Sequence, residues 1–276
     1  MIFWRVACVL GIVLLLGGSL FMFGLERRII YYPSRELYTT PGALGLVAQN
    51  IEARTSDGET ISGWLIKKPA PATGTPRPLL LMSHGNAGTI ADRLHRVVHF
   101  QKHLDVDFAL YDYRGYGQSS GSPDEKGTYE DSRAVYDWLI AHGESAQRIV
   151  LFGESLGCAV SVQLALDRSA RGLILEAPFA SIRAMAKAVL PWLPGVPFLR
   201  THYDNQAKMP RVAMPLLVFH GTADEVIPFA QGESVFAAAR EPKRFVPIAF
   251  AHHNDVYIVG DADYLRALRD FLDTLR

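Results

Sequence analysis

Residues 153–157 read Gly-Glu-Ser-Leu-Gly and fit the pattern G-x-S-x-G. This pattern is typical of a serine held on a sharp turn between a strand and a helix, where its hydroxyl can attack a carbonyl carbon. The two glycines matter because the turn crowds the backbone, so that a β-carbon at either position would clash. The pattern therefore predicts that Ser155 is the nucleophile of a hydrolase.

A second stretch, residues 117–121, fits the same pattern around Ser119. The context separates the two serines. The short, largely apolar run 148–152 reads as a buried strand that leads into the first motif, and 156–166 reads as a buried helix that leaves it. The strand before Ser119 ends several residues earlier, and a cluster of turn residues follows this serine instead of a helix. We therefore expect Ser119 to lie in a structural loop.

A serine hydroxyl needs a base that takes its proton, and the base needs an acid that orients it and stabilises its charged form. In the chain order Ser, acid, His, the acid should follow a late strand. Asp224 does so and is the main candidate, with Glu225 and Asp204 as weaker ones. An aspartate in this position could also be an ordinary turn or cap residue.

The base should follow the last strand, where two adjacent histidines, His252 and His253, occur. Both cannot reach Ser155, and the chain order alone does not choose between them. Five earlier histidines fall at a strand end or on helix faces and are expected to be ordinary surface or core residues: His84, His95, His99, His103 and His142.

Acyl transfer passes through a tetrahedral oxyanion that two backbone N–H groups must stabilise. Leu156, directly after the serine, is expected to supply one donor. The loop 83–88 is expected to supply the other through the N–H of Asn86, and its glycines permit a close backbone approach. A plain glycine turn is the alternative interpretation of this loop.

Strands and helices alternate along most of the chain, which predicts an α/β fold with a doubly wound, mainly parallel sheet. Such sheets bind ligands beyond the carboxyl ends of their strands, where the motifs above should converge. Residues 179–214, between two core strands, are predicted to form a small cap. The predicted strands are 51–55, 60–66, 79–82, 106–111, 148–152, 172–175, 216–219 and 244–250. The predicted helices are 91–103, 129–141, 156–166, 235–240 and 261–275.

Composition excludes several classes of function. The 276 residues suffice for one large α/β domain, and the net charge of zero gives no electrostatic reason to bind nucleic acid. We expect no metal or cofactor, because no Cys/His cluster has zinc spacing and no glycine-rich phosphate loop occurs. The two cysteines, Cys8 and Cys158, are not expected to pair.

Val6 to Leu25 is a run of twenty residues without a charge. At 1.5 Å per residue it would span roughly 30 Å, the thickness of a bilayer core. We expect residues 1–28 to form a single-pass membrane anchor and residues 29–276 the catalytic domain. A cleaved signal peptide with small residues at 17–19 is the first alternative, and a buried helix is the second. Arginines after the run favour a cytoplasmic domain without deciding the orientation.

These motifs together resemble the α/β-hydrolase family, and more closely its membrane-anchored α/β-hydrolase domain-containing serine hydrolases. The family pattern places the catalytic histidine immediately before Asn-Asp, so the resemblance implies that His253 is the base. Glu154 departs from the pattern, since relatives often carry an uncharged or basic residue there. The resemblance is carried by residues 32–35, 55–58, 63–64, 84–88, 112–117, 153–157, 220–224 and 253–255.

The sequence therefore predicts hydrolysis of a carboxylic ester or thioester through an acyl-serine intermediate, on a lipid-like or acylated substrate. The apolar stretch 186–199 could form a wall for an acyl chain or merely pack the cap onto the domain. A peptidase of the same fold and a catalytically silent, membrane-anchored binding protein are the alternatives. The sequence does not indicate an oligomeric state.

Overall fold

The computed structural model describes residues 26–69, 76–189 and 199–275. The predicted membrane segment lies outside these residues, as does part of the predicted cap. In the described ranges, no helix combines the length and the apolar character that a bilayer crossing requires. The division into an anchor, a catalytic domain and a cap stays a prediction.

Eight strands of the described chain form one sheet in the order β8-β7-β6-β5-β3-β4-β2-β1. The two pairs that involve β2 are antiparallel, and all other neighbours are parallel. The predicted mainly parallel sheet is therefore confirmed. The strands are β1 (Ala48–Arg54), β2 (Thr60–Ile66), β3 (Leu79–Ser83), β4 (Asp107–Tyr111), β5 (Ile149–Glu154), β6 (Gly172–Glu176), β7 (Leu216–Gly221) and β8 (Lys243–Ile248).

Helices cover both faces of this sheet. On β5, Leu151 packs in the cluster that contains α2, α3 and α6, whereas Val150 packs on the opposite face with α1 and α7. Because both faces are covered, the central strands are continuous apolar runs rather than alternating ones. The helices are α1 (Leu94–His103), α2 (Glu125–Ala141), α3 (Leu156–Asp167), α4 (Ile182–Val189), α5 (Asn205–Lys208), α6 (Phe229–Ala238) and α7 (Val256–Thr274). Single 3₁₀ turns occur at Gly42–Leu44, Ile90–Arg93 and Met209–Arg211.

Three helices begin earlier than the sequence predicts, and one of them, α6, starts at Phe229 instead of residue 235. Helix α2 starts four residues before Tyr129 because the Asp124 carboxylate accepts a hydrogen bond from Gly127 N–H at 2.7 Å and caps the helix. Helix α7 starts at Val256 and is interrupted at Asp261, whose backbone is not helical (φ 25°). The predicted start at Asp261 therefore marks the interruption inside α7.

The loops that carry the sequence motifs leave the same edge of the sheet. Strand pairing aligns Ser83 with Gly153 at the ends of β3 and β5, and Ile248 with Gly221 at the ends of β8 and β7. A short parallel pairing of Tyr32–Pro33 with residues 87–88 adds an N-terminal segment at this edge. The fold therefore brings together segments that are far apart in the chain.

Candidate active site

Ser155 lies on a tight turn between β5 and α3. Its backbone is left-handed in φ (φ 53°, ψ −115°), a conformation that costs about 1–3 kcal/mol for a residue with a side chain. A β-carbon on Gly153 would lie 2.5 Å from the Cα of Cys158, and one on Gly157 would overlap the Ser83 carbonyl. The turn predicted at residues 153–157 is therefore present, and close backbone packing is the reason for both glycines.

Three side chains from separate loops form one hydrogen-bonded chain. His253 Nε2 lies 3.0 Å from Ser155 Oγ, and His253 Nδ1 lies 2.8 Å from Asp224 Oδ2. The carboxylate can only accept, so Nδ1–H donates to it and Nε2 is free to accept the serine proton. This arrangement can withdraw a proton from Ser155 and stabilise the charge that then appears on the imidazole.

The Asp224 carboxylate has no exposed surface and is held at both oxygens. Oδ1 accepts hydrogen bonds from the N–H groups of Val226 (2.9 Å) and Ile227 (2.7 Å). Oδ2 lies 3.3 Å from Nε2 of the buried His220, which donates to the Ile227 carbonyl. Burial raises the Asp224 pKa, but the neighbouring histidines and backbone donors outweigh burial and hold it well below its usual range.

The His253 pKa is shifted in the opposite direction. Burial lowers the His253 pKa, but the hydrogen bond to Asp224 and the charge of that carboxylate raise it by more. The net pKa therefore lies above that of an ordinary histidine. The charges of Glu154 and Glu176 add to this increase. His253 is therefore a stronger base than a free imidazole.

The adjacent histidine faces solvent. The His252 side chain is 59% exposed, and its Nδ1–H donates to Glu225 Oε2 at 2.9 Å. Asp204 caps α5 by accepting a hydrogen bond from Ala207 N–H at 3.1 Å. Of the two histidines, only His253 makes hydrogen-bond contact with Ser155 and Asp224. The two weaker acid candidates, Glu225 and Asp204, make the hydrogen bonds described above outside the site.

The loop 83–88 passes beside the serine, since a β-carbon on Gly85 would lie 3.6 Å from Ser155 Cβ. Within the described ranges, neither Asn86 N–H nor Leu156 N–H donates to another protein group. At Leu156 this follows from its place in the first turn of α3, whose N–H groups have no partner inside the helix. Two unpaired backbone donors therefore flank the serine.

Ser119 has a structural environment. Its side chain is buried, accepts a hydrogen bond from Ser62 N–H at 2.9 Å and donates to the Asp112 carbonyl at 2.7 Å. Both contacts fasten the loop after β4 to the sheet. No histidine contacts this hydroxyl among the described residues.

His84 is also buried and lies apart from the triad. Its Nδ1–H donates to the Gly85 carbonyl at 2.7 Å. Burial lowers its pKa to about 3, and the positive charge of Arg93 adds to this decrease. This imidazole is neutral at physiological pH and shapes the loop 83–88.

A buried ion network behind the serine was not predicted from the sequence. Glu154 Oε1 lies 2.8 Å from Arg93 Nη2, and Glu154 Oε2 lies 3.4 Å from Arg96 Nη1. Arg96 also pairs with Glu176 at 2.8 Å, and the Tyr264 hydroxyl donates to the same carboxylate at 2.6 Å. Burial raises the Glu154 pKa, but the two arginines outweigh burial and lower it to about 2.

A sequence signal for this network existed on the arginine side. Arg93 and Arg96 are three residues apart at the start of a helix whose other face is apolar, and residues with this spacing share a helix face. Buried arginines require carboxylate partners. Those partners, Glu154 and Glu176, are the last residues of β5 and β6, and only the folded sheet brings them together.

The described residues contain no cluster of three or more His, Cys, Asp or Glu side chains that could hold a metal ion.

A family model described as serine aminopeptidase, S33, matches residues 74–198, which include Ser155 but neither Asp224 nor His253. Over almost its whole length the chain is similar to curated proteins. An uncharacterized protein of Mycobacterium tuberculosis is 35% identical over 271 residues, with 97% of this chain and 95% of that protein covered. Protein bem46 of Schizosaccharomyces pombe is 32% identical, with 91% and 87% covered.

Two further comparisons concern the fold. The Arabidopsis thaliana alpha/beta hydrolase domain-containing protein WAV2 is 30% identical, with 94% of this chain and 91% of that protein covered. The solved structure of the Pyrococcus furiosus esterase PF2001 superposes with a TM-score of 0.72 at 18% identity, covering 89% of this chain and 98% of that one. The chain belongs to the α/β-hydrolase superfamily.

Proposed function

We propose that this protein is a serine hydrolase that cleaves carboxylic ester or thioester bonds through an acyl-serine intermediate. The observation that carries the proposal is the position of His253, whose two ring nitrogens lie 3.0 Å from Ser155 Oγ and 2.8 Å from Asp224 Oδ2. A nucleophile, a base and an orienting acid in hydrogen-bond contact are the arrangement that acyl transfer to serine requires.

In the first half of the reaction, His253 Nε2 takes the hydroxyl proton while Ser155 Oγ attacks the carbonyl carbon of the substrate. The carbonyl oxygen becomes an oxyanion, which accepts hydrogen bonds from the N–H groups of Asn86 and Leu156. The intermediate collapses when the protonated His253 gives its proton to the departing alcohol or thiol. The acyl group remains on Ser155.

In the second half, a water molecule takes the place of the leaving group. His253 removes a proton from this water, whose oxygen attacks the acyl-serine carbon. Collapse of the second oxyanion returns the proton from His253 to Ser155 Oγ and releases the carboxylic acid. Asp224 remains ionised throughout, in line with the low pKa that its hydrogen-bond donors give it.

We propose a lipid-like or acylated substrate and a membrane location. Phe250, three residues before the catalytic histidine, is 83% exposed, and Val226, beside Asp224, is 44% exposed. Large exposed apolar side chains on the two loops that carry Asp224 and His253 suit an acyl chain better than a water-soluble ester. The apolar run Val6–Leu25 supports this substrate class, because the segment that follows it meets the site where Tyr32 N–H donates to the Asn86 carbonyl.

A peptidase is the second candidate, because the matching family model carries an aminopeptidase description. A catalytically silent binding protein has weaker support, because such a protein would be expected to have lost a contact of the triad. Both contacts of the triad are in hydrogen-bond range.

The test compares the full chain with its Ser155→Ala variant on a panel of p-nitrophenyl esters, acyl thioesters and amino-acid p-nitroanilides. We expect the wild-type protein to turn over esters or thioesters and to be labelled by a fluorophosphonate. The variant should do neither while keeping the same circular dichroism spectrum. Retained turnover in Ser155→Ala, or turnover of anilides alone, would refute the proposal.

A further inference from the structure

Residues 26–36, here called the N-terminal strap, lie across the edge of the sheet where the candidate site is found. Residues 26–30 are helical, and Tyr32–Pro33 then pair in parallel with residues 87–88. The strap thus adds a short strand to the loop that contains Asn86. A segment between a predicted anchor and a domain could be a simple linker, but this one pairs with the loop that passes beside Ser155.

Asn86 contacts the strap through its backbone carbonyl and its side-chain NH₂ group. The Asn86 carbonyl accepts hydrogen bonds from Tyr32 N–H at 3.0 Å and from the Tyr116 hydroxyl at 2.7 Å. The Asn86 side chain donates to the Ile30 carbonyl at 3.1 Å. Its backbone N–H, the proposed oxyanion donor, has no acceptor among the described residues.

The first residue of the strap is fixed to residues 200–201, which lie within the predicted cap. The Glu26 carboxylate is buried and accepts hydrogen bonds from Arg200 N–H (3.2 Å), Thr201 N–H (3.2 Å) and Thr201 Oγ1 (3.1 Å). A buried carboxylate is destabilising unless donors satisfy it, and here three donors do so. This end of the strap therefore has a fixed position.

The middle and the last part of the strap are fixed as well. The buried Tyr31 hydroxyl lies 2.8 Å from the hydroxyl of Tyr203, which in turn lies 2.7 Å from Thr128 Oγ1 on α2. The Ser34 carbonyl accepts a hydrogen bond from Gly117 N–H at 2.7 Å. Together these contacts make the strap a bridge from α2 and the loop after β4 to the loop of Asn86.

We propose that the N-terminal strap is a positioning element of the oxyanion hole, with Glu26, Tyr31 and Tyr32 as positioning residues that hold Asn86 N–H at the reacting carbonyl. This inference rests on the proposed serine hydrolase function. An oxyanion donor acts only when it lies about 2.7–3.1 Å from the developing charge, so a small shift of the loop lowers the rate of the chemical step. Tyr113 and Arg93 also hold this loop, through the carbonyls of residues 84 and 87.

Three variants of the full chain test the strap. Asn86→Ala removes the hydrogen bond to Ile30 and keeps the backbone N–H. Tyr31→Phe removes the contact with Tyr203 and keeps the ring. Glu26→Gln keeps the shape of the side chain but turns one acceptor oxygen into a donor. Tyr38→Phe is the matched control, because it deletes a hydrogen bond, to the Ala91 carbonyl at 3.3 Å, just beyond the strap.

We expect Asn86→Ala to lower kcat for a p-nitrophenyl ester by about 10- to 100-fold, short of the 10²–10³-fold loss that follows complete removal of a donor. KM should stay within about twofold, because the oxyanion interaction is made only in the transition state. Affinity for a trifluoromethyl ketone, which forms a tetrahedral adduct with the serine, should fall in parallel with kcat. Glu26→Gln and Tyr31→Phe should show smaller losses of the same kind, and Tyr38→Phe none.

Hydrogen exchange of residues 83–88 gives a readout that does not depend on activity. Exchange in this segment should be faster in the strap variants than in the wild-type protein and in Tyr38→Phe. Unchanged exchange together with unchanged kcat in both Asn86→Ala and Glu26→Gln would overturn the inference. If the wild-type protein shows neither turnover nor fluorophosphonate labelling, the proposed function has failed, and exchange alone then decides whether the strap orders the loop.

Discussion

Arg93 Nη2 lies 2.8 Å from Glu154 Oε1, and this ion pair joins the loop of Asn86 to the residue before Ser155. The same guanidinium donates to the Ala87 carbonyl at 3.1 Å. Glu154 therefore belongs to an ion network that also contains Arg96. The low pKa that the two arginines give to this carboxylate keeps it charged, so its effect on the site is electrostatic and structural.

Glu154→Ala should destabilise the protein by about 3 kcal/mol, because it removes the nearer carboxylate of the largely buried Arg93 and leaves only Asp92, at 3.9 Å. The Arg93 and Glu154 side chains are only 13% and 17% exposed, so solvent cannot replace the lost charge. Equilibrium unfolding in urea measures the change. The control is Asp270→Ala, which breaks a pair with Arg244 whose side chains are about half exposed, and it should change stability by less than about 1 kcal/mol. Equal effects of the two substitutions would contradict a structural role for Glu154.

His253→Ala should lower kcat by about 10⁴- to 10⁶-fold, whereas His252→Ala should leave it within a few-fold of the wild-type value. The two residues are neighbours in the chain, but only His253 contacts Ser155 and Asp224. His252 pairs with Glu225 in solvent. Steady-state kinetics on one ester measure both variants, and a larger loss in His252→Ala would mean that the assignment of the base is wrong.

The dependence of kcat/KM on pH should have an acid limb that reports His253. The base acts only when neutral, so activity falls as the pH drops through its pKa, which Asp224 raises above the ordinary value for histidine. Asp224→Asn removes that charge, so the limb should move to lower pH while the plateau falls by about 10⁴-fold. Glu154→Gln should move the limb in the same direction by less, because Glu154 contributes a smaller part of the increase. A limb that moves to higher pH in either variant would exclude this model of the base.

The sequence predicted the order of strands and helices and the turn at Ser155, because local patterns determine both. A short apolar run such as Leu79–Met82 indicates a buried strand, and the glycines around Ser155 are required by the turn itself. The start of α2 was missed because the signal, the side chain of Asp124, lies in a cluster that also reads as a plain turn.

The parts of the site that depend on long-range contacts could not be predicted. Arg93 and Glu154 are 61 residues apart, and Ile30 and Asn86 are 56 residues apart. No periodicity or spacing relates such pairs, since only the strand order brings them together. The chain order did not choose between His252 and His253 either, because the choice depends on where the loop after β8 points each side chain. Only the resemblance to the family favoured His253.

Gly157→Ala should destabilise the protein by at least about 3 kcal/mol or prevent folding. A β-carbon there would overlap the Ser83 carbonyl at the end of β3 and would lie 2.7 Å from the His84 carbonyl oxygen, so the backbone of β3 or α3 would have to shift. Gly42→Ala is the matched control, because a β-carbon at Gly42 would meet nothing within 4 Å. Thermal and urea unfolding measure both variants. A Gly157→Ala protein as stable as Gly42→Ala would show that the turn between β5 and α3 can open without loss of packing.

Ser119→Ala should keep fluorophosphonate labelling and lose stability. Its buried hydroxyl joins Ser62 N–H to the Asp112 carbonyl, and its removal leaves both backbone groups without this partner, at a cost of about 1–3 kcal/mol. Peptide mass spectrometry after labelling should locate the adduct on Ser155 in the variant as in the wild-type protein, and urea unfolding should give the loss of stability. An adduct on Ser119 in the wild-type protein, or lost labelling in a folded Ser119→Ala variant, would mean that Ser119 is the nucleophile and that the assignment of Ser155 is wrong. We expect the adduct on Ser155 because its hydroxyl contacts a base, whereas backbone groups engage the Ser119 hydroxyl both as donor and as acceptor.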